Sequence, residues 1–162
     1  MNTRDKIKTM TISIHPMTID DYASVRQVDI LTQKQYLGKK FDDLNSEEQD
    51  AHLVSRKTEF QQNVDTGYCF VAKDGDTIIG FLLSYETLPF RGALYIRYIG
   101  LHPAYQNKGI GLLLYEKLIE KAKQNHIKEI KAFINLDNPT SIKFHEKAGF
   151  TLCDRKEATL TF

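Results

Sequence analysis

The stretch that most constrains this chain runs from residue 93 to residue 118. A strand-like run, "ALYIRYIGL", passes through the loop "HPAYQNK" into "GIGLLLYEKL", where two glycines two apart open a helix. A strand that feeds a helix through such a loop leaves a row of free backbone N–H groups at the helix start, which suits a phosphate or pyrophosphate. Glycines there let the backbone approach closely, where a Cβ would intrude. Each charge-assisted N–H bond to a phosphate contributes about 1.5–3 kcal/mol. Two familiar phosphate loops fail on inspection. A dinucleotide fingerprint needs a third glycine, but leucines follow Gly111; a nucleotide P-loop needs Lys and then Ser or Thr after its last glycine, and Leu112 stands there. Glycines that merely turn the chain remain the alternative.

The flanking sequence predicts alternating elements. "TISIH" (11–15) reads as a first strand, and Thr18 with Asp21 three residues on opens a helix to about Leu37. "GKKFDDLN" (38–45) is a polar connection. Ser46 with Gln49 forms a second capping pair, and Leu53, Phe60 and Val64 carry that helix to about Asp65. An Asp74-Gly75 turn joins two strands into a hairpin, and a third strand follows Gly92. Residues 109–125 place Ile110, Leu114, Leu118 and Ala122 on one helical stripe. "EIKAFINL" alternates as a strand, and "NPTSIKFHEKAG" is a short helix with Asn138 as N-cap, Pro139 first and Gly149 as stop. "FTLCDRKEATLTF" closes as one or two strands. The order β-α-α-β-β-β-α-β-α-β(-β) is a mixed α/β sheet.

Composition excludes several classes. The chain has 162 residues, 41% hydrophobic and 27% charged, which fits one globular domain over 10–162 behind a tail of 1–9. A net charge of +1 is no electrostatic footprint for nucleic acid or an anionic membrane. Apolar runs such as Leu112-Leu113-Leu114 are too short to span a bilayer, and "MNTRDKIKTM" lacks the apolar core of a secretory signal. Cys69 and Cys153, each in a strand-like run, read as buried thiols of a reducing cytoplasm. The histidines show no metal-ligand spacing, so no metal is expected.

Gln106-Asn107-Lys108-Gly109-Ile110-Gly111 resembles the Q/R-x-x-G-x-G/A signature of the GNAT-superfamily N-acetyltransferases, and "NPTSIKFHEKAGF" (138–150) resembles that family's second motif. With the element order, the resemblance covers roughly residues 10 to 162. It implies a GNAT fold, with a splay between strands four and five, and transfer of an acetyl group from acetyl-CoA to an amine acceptor. The chain would then be a cytoplasmic monomer or homodimer. A small-molecule acceptor leads; a protein N-terminus or lysine, and a non-catalytic acyl-CoA-binding domain, are the alternatives.

The resemblance also implies roles for individual residues. The backbone of Gln106, Asn107, Lys108, Gly109, Ile110 and Gly111 would grip the pyrophosphate, and main-chain groups of Ile99 and Leu101 would pair with the pantetheine arm. Lys108 either adds charge near the phosphates or is a solvated loop lysine. Asn138, with the small Ser141 three residues on, caps its helix and touches the cofactor. Where many members carry a Tyr general acid seven residues after that Asn, this chain has His145. Seven residues return a helix to nearly the same face, and an imidazole of pKa about 6.5 can protonate a thiolate of pKa about 8.5; packing against the cofactor is the other reading. Where many members place a Glu base on the fourth strand, Arg97 stands, and a guanidinium is no base. Glu86, Tyr98, Asp43 or a water chain could serve instead. With strict alternation Arg97 shares a face with Tyr95 and Ile99. Arg97 and Glu86 are the candidate acceptor contacts; an Arg paired with a surface carboxylate is the alternative. The family's acceptor pocket would be walled by residues 38–45 and by a final hairpin, short here because 12 residues follow Phe150.

Overall fold

The alternating apolar runs assemble into a five-stranded sheet in a computed structural model that describes residues 10–52, 57–87 and 92–162. These residues divide into two units at Ala132/Phe133. In the first unit the strands are β1 (Ile12–Pro16), β2 (Phe70–Asp74), β3 (Thr77–Glu86), β4 (Ala93–Leu101) and β5 (Glu129–Ala132), hydrogen-bonded in that order. All neighbours are antiparallel except β4 and β5. That parallel pair needs a crossover, which the helix α5 (Ile110–Gln124) provides.

Side-chain alternation sends the two faces of the sheet to different helices. Cys69, Val71, Phe81 and Leu83 form one buried cluster with Val25 and Val28 of α1 (Tyr22–Leu37) and Phe60 of α4 (Lys57–Asp65). The edge of the Tyr22 ring meets Phe60 at 5.0 Å between centroids. Phe70, Ala72, Leu82 and Leu94 alternate to the other face and are buried there with α5, whose stripe of Ile110, Leu114, Leu118 and Ala122 is buried as expected.

The chain between α1 and α4 differs from the simple polar connection expected. It holds a one-turn helix α2 (Lys39–Asp42) and a helix α3 (Ser46–His52), because Phe41 turns inward and is buried. The capping pair at α3 lies one residue earlier than the Ser46/Gln49 reading. The Asn45 side chain accepts from the Glu48 N–H at 3.0 Å, and Glu48 accepts from the Asn45 N–H at 2.9 Å. Gln49 instead donates to the carbonyls of Phe41 and Leu44. Leu53 lies outside the described residues. The Thr18/Asp21 pair does form, with Thr18 N–H on Asp21 at 2.8 Å, and it opens a 3-10 turn that runs into α1.

In the second unit α6 (Pro139–Lys147) starts and stops as the sequence predicts. The Asn138 side chain accepts from the Ser141 N–H at 3.0 Å, and Gly149 takes φ +91°. Residues 151–162 form no strand and are exposed, which corrects the expected closing strands. Consistent with that, Cys153 is exposed, whereas burial pushes the Cys69 thiol up to about 12.

Two ladder irregularities shape the sheet, between Ala72 and Lys73 and between Leu83 and Ser84. Leu83 opposes Tyr98 while the next residue, Ser84, opposes Ile96, so Arg97 has no partner on β3. It is the extra residue of a β-bulge. Just beyond it Gly100 lies beneath the Phe81 ring, and a Cβ on Gly100 would stand 2.6 Å from Phe81 Cε1. Gly100→Ala is therefore expected to destabilise the fold by about 1–3 kcal/mol, measured by urea denaturation; an unchanged midpoint would mean the ring has room to move.

Candidate functional site

The glycine loop is fastened at both ends before it reaches α5. Leu101 ends β4, and a 3-10 turn over Pro103–Tyr105 follows, with His102 accepting from the Ala104 N–H through Nδ1 at 3.2 Å. The Tyr105 hydroxyl donates to Asp74 at 2.9 Å, and Asp74 also accepts from the Thr11 N–H at 3.1 Å, so one carboxylate ties the loop to two strands. Gln106 exchanges amide bonds with Gln35 of α1 at 3.0 and 2.7 Å and donates to the Leu101 carbonyl at 3.1 Å. The Gln106 side chain is thus an anchor for the loop.

Asn107 and Gly109 then take positive φ, +60° and +80°, which turns the peptide planes of the loop sharply at the start of α5. The carbonyl of Gly109 accepts from Leu112 and Leu113 at 3.1 and 3.3 Å. Helix geometry leaves the N–H groups of Ile110 and Gly111 ahead of that first turn, without acceptors inside the helix. A Cβ built on Gly109 would project into open space, with no atom within 4 Å. A cradle of this kind, with aligned donors and room where a side chain would stand, fits a pyrophosphate. Lys108 is turned back on its own loop. Its Nζ donates to the Ala104 carbonyl at 2.9 Å and lies 5.3 Å from the Tyr105 ring centroid.

Beside this loop the sheet opens. The β4–β5 ladder runs from Ala93↔Glu129 to Ile96↔Ala132 and stops. Beyond Ile96, strand β4 is paired on its β3 side, and Ile99 and Leu101 lie in that segment. Among the described residues no strand continues the other edge there. Main-chain groups on such an edge are ready to pair with an extended ligand.

On the α1/α4 side of the sheet lies a cavity of about 420 Å³. Glu59, Gln62, Asn63 and Thr66 of the α4 segment form one wall, and Tyr85, Glu86 and Arg97 of the sheet form the other. The bulge is what brings Arg97 here. Tyr85 opposes Tyr95 and the two rings stack at 6.3 Å, while Arg97 lies over the ring of Tyr98 at 5.3 Å from its centroid. Arg97 and Tyr98 are consecutive yet serve the same side, whereas Ile99 opposes Leu82. The expected face shared by Tyr95, Arg97 and Ile99 is therefore broken at Ile99. Glu86 lines the cavity and accepts the Gly92 N–H at 2.9 Å, which closes the end of the hairpin. Glu59 and its neighbours on α4 are not singled out by the sequence, whose signal in this helix is the apolar spacing of Leu53, Phe60 and Val64. Asp43 is exposed beyond α2 and is no part of the cavity lining.

In the second unit His145 is buried on α6, and its ring meets those of Phe144 and Phe150 edge-on at 5.5 and 5.2 Å. Its Nδ1 lies 2.7 Å from the Ser141 carbonyl and 3.4 Å from the Ser141 hydroxyl. A carbonyl only accepts, so Nδ1 carries the proton and the neutral ring has its lone pair on Nε2. Burial lowers the imidazole pKa below its ordinary value, with the Ser141 carbonyl pulling the other way. Among the described residues no group of three or more His, Cys, Asp or Glu is placed to hold a metal ion, and no helix is long and apolar enough to cross a membrane.

The model of the acetyltransferase (GNAT) family matches residues 35–150. L-2,4-diaminobutyric acid acetyltransferase of Shouchella clausii is 34% identical over 73 residues, 45% of this chain and 41% of that protein. L-methionine sulfoximine/L-methionine sulfone acetyltransferase of Salmonella typhimurium is 30% identical over 84 residues, 51% of this chain and 49% of that protein. The chain thus spans about half, or less, of these relatives. Among solved structures, PaiA N-acetyltransferase from Thermoplasma acidophilum in complex with coenzyme A shares the fold. Its TM-score is 0.76 at 19% identity, over 91% of this chain and 94% of that one. The family match takes in the glycine loop, the bulged strand and the capped α6 together, and the chain belongs to the GNAT acetyltransferase family.

Proposed function

We propose that this chain transfers the acetyl group of acetyl-CoA directly to the amine of a small molecule, with no covalent enzyme intermediate. The observation that carries this reading is the cradle at Asn107–Gly111, set beside a β4 edge that β5 leaves unpaired from Arg97 onward. When bound, acetyl-CoA supplies a thioester whose acetyl carbon an amine can attack. The backbone from Gln106 to Gly111 holds the pyrophosphate, and main-chain groups of Ile99 and Leu101 pair with the pantetheine arm. Because Lys108 is engaged with the Ala104 carbonyl, the grip rests on N–H groups rather than on that ammonium. The Asn138 carbonyl oxygen is taken by the helix cap at Ser141, so its contact to the cofactor comes from the Nδ2 donor.

His145 moves the proton. With Nδ1–H held by the Ser141 carbonyl and the ring neutral, Nε2 first takes the proton that the amine nitrogen sheds on attack. It then returns that proton to the departing sulfur. A buried neutral imidazole suits this order better than a resting imidazolium, so a single side chain serves as base and then as acid. The relatives from Shouchella and Salmonella, named for amino-acid-like amines, support a small acceptor over a protein one.

Thiol release from acetyl-CoA, screened over a panel of amino acids, polyamines and N-terminal peptides, tests the reaction. Turnover with small amines is the expected result; binding of acetyl-CoA without turnover of any amine would leave an acyl-CoA-binding domain in its place. Gly109→Val, which forces a β-branched residue to φ +80° and fills the cradle, should weaken acetyl-CoA binding at least tenfold by calorimetry of folded protein. Unaltered affinity would remove the phosphate role. His145→Ala should lower kcat by about 10²–10⁴ with acetyl-CoA affinity retained. The neutral ring is the working form, so kcat should fall as pH drops through the lowered pKa of His145. A profile that instead falls as pH rises through that value would make the imidazolium the resting acid.

A further inference from the structure

The cavity between α4 and the bulged strand has a charge arrangement that acetyl transfer alone does not require. Arg97 is the extra residue of the bulge, and among the described residues no carboxylate lies within ion-pair distance of it. Its guanidinium lies over the Tyr98 ring, a contact that uses the face of the fork and leaves its N–H edges to solvent or a ligand. A cavity of about 300 Å³ on the other side of α1 offers the contrast. It is lined by Arg26, Lys34, Phe41 and Asp50, and its cations have partners: Arg26 pairs with Asp50 at 2.8 Å and Lys34 with Asp42 at 3.5 Å. Arg97 is exposed to solvent, so its guanidinium is open to a ligand that enters the cavity. A planar guanidinium fork there matches a carboxylate in two parallel bonds.

The opposite wall supplies the complementary group. Glu59 projects from the first turn of α4, and among the described residues its carboxylate meets no cation within ion-pair distance. Position along β4 points the same way. Arg97 stands between Ile96, the last residue that β5 pairs, and Ile99, the first that would pair with the pantetheine arm. The cavity therefore adjoins the strand segment along which the thioester would be presented.

We infer that this cavity is the acceptor site and that it selects amines bearing a free carboxylate, with Arg97 anchoring the carboxylate and Glu59 orienting the amine through its N–H. The inference rests on the acetyl-transfer reading above. It separates this chain from a polyamine acetyltransferase, since a spermidine-like cation has nothing to offer Arg97.

The experiment takes the L-amino acid with the highest turnover in the thiol-release panel and compares it with its own carboxamide and with spermidine. In the wild type, kcat/KM for the free acid should exceed that for the carboxamide at least tenfold. In Arg97→Gln that preference should collapse toward parity through KM, with acetyl-CoA affinity by calorimetry retained. Arg97→Lys should recover part of the preference, because an ammonium keeps the charge but loses the fork. Glu59→Ala should lower kcat/KM for acid and carboxamide alike and so preserve their ratio. A wild type that prefers the carboxamide or spermidine, or an Arg97→Gln protein that binds acetyl-CoA and keeps the ratio, overturns the inference while acetyl transfer stands. Should no amine be turned over, acetyl transfer itself fails and this site reading falls with it.

Discussion

A strand can lose a neighbour on one edge only if its other edge holds it in register. Strand β4 is in that position: β5 pairs Ala93 to Ile96, and from there to Leu101 the strand is laddered to β3 alone. The peptide groups on its open edge must find partners in water or in a ligand. What keeps the segment straight enough to present them is close packing on the β3 side. The Phe81 ring covers Gly100, and Gly80 admits the side chain of Leu101. A side chain on either glycine would force Leu101 or the Phe81 ring to shift. The open edge thus depends on two glycines inside the sheet as much as on the two glycines in the loop.

The loop at the end of that edge is held by polar bonds that converge from distant parts of the chain. Asp74, at the hairpin turn, takes the Tyr105 hydroxyl and the Thr11 N–H, and Gln35 on α1 clasps Gln106. These bonds set where the loop begins, and the left-handed residues Asn107 and Gly109 set where it points. Preorganisation of this kind lowers the ordering cost that a ligand would otherwise meet on binding. The Gln106 side chain, bonded to Gln35 and the Leu101 carbonyl, holds the loop backbone in place.

Long periodic elements were legible in the sequence because burial and period agree there. The α5 stripe, the alternating strands and the Asn138 cap with its Gly149 stop all follow from spacing alone. Features set by one residue or by tertiary packing were not. Phe41 in "GKKFDDLN" gave no periodic signal, yet its burial winds a helical turn where a plain connection was expected. The choice between Asn45 and Ser46 as cap depended on where the chain enters α3. The bulge was invisible, since one skipped residue leaves the apolar pattern of "ALYIRYIGL" intact while it reverses the faces beyond Arg97. Glu59 was missed for a related reason: an exposed-looking glutamate on a polar helix face becomes a wall residue only when a sheet bulge faces it. The closing segment differed in the opposite sense: "FTLCDRKEATLTF" reads as one or two strands, and none forms.

The exchange of a carboxylate base for Arg97 has a consequence for the acceptor's own chemistry. In a free amino acid the carboxylate stabilises the neighbouring ammonium by proximity and so raises its pKa. In the proposed acceptor site, a guanidinium paired with that carboxylate neutralises the support and adds a like charge nearby, both favouring the neutral amine, while Glu59 on the opposite wall acts the other way. Each unit of depression increases the free amine tenfold, about 1.4 kcal/mol, for an acceptor that must reach the thioester uncharged. A spermidine-like acceptor has no carboxylate for Arg97 to hold, although Glu59 and Glu86 on the cavity walls would attract its ammonium groups. Under the proposed acceptor reading, Arg97 would lessen the demand for a base at the position where the resemblance implied one.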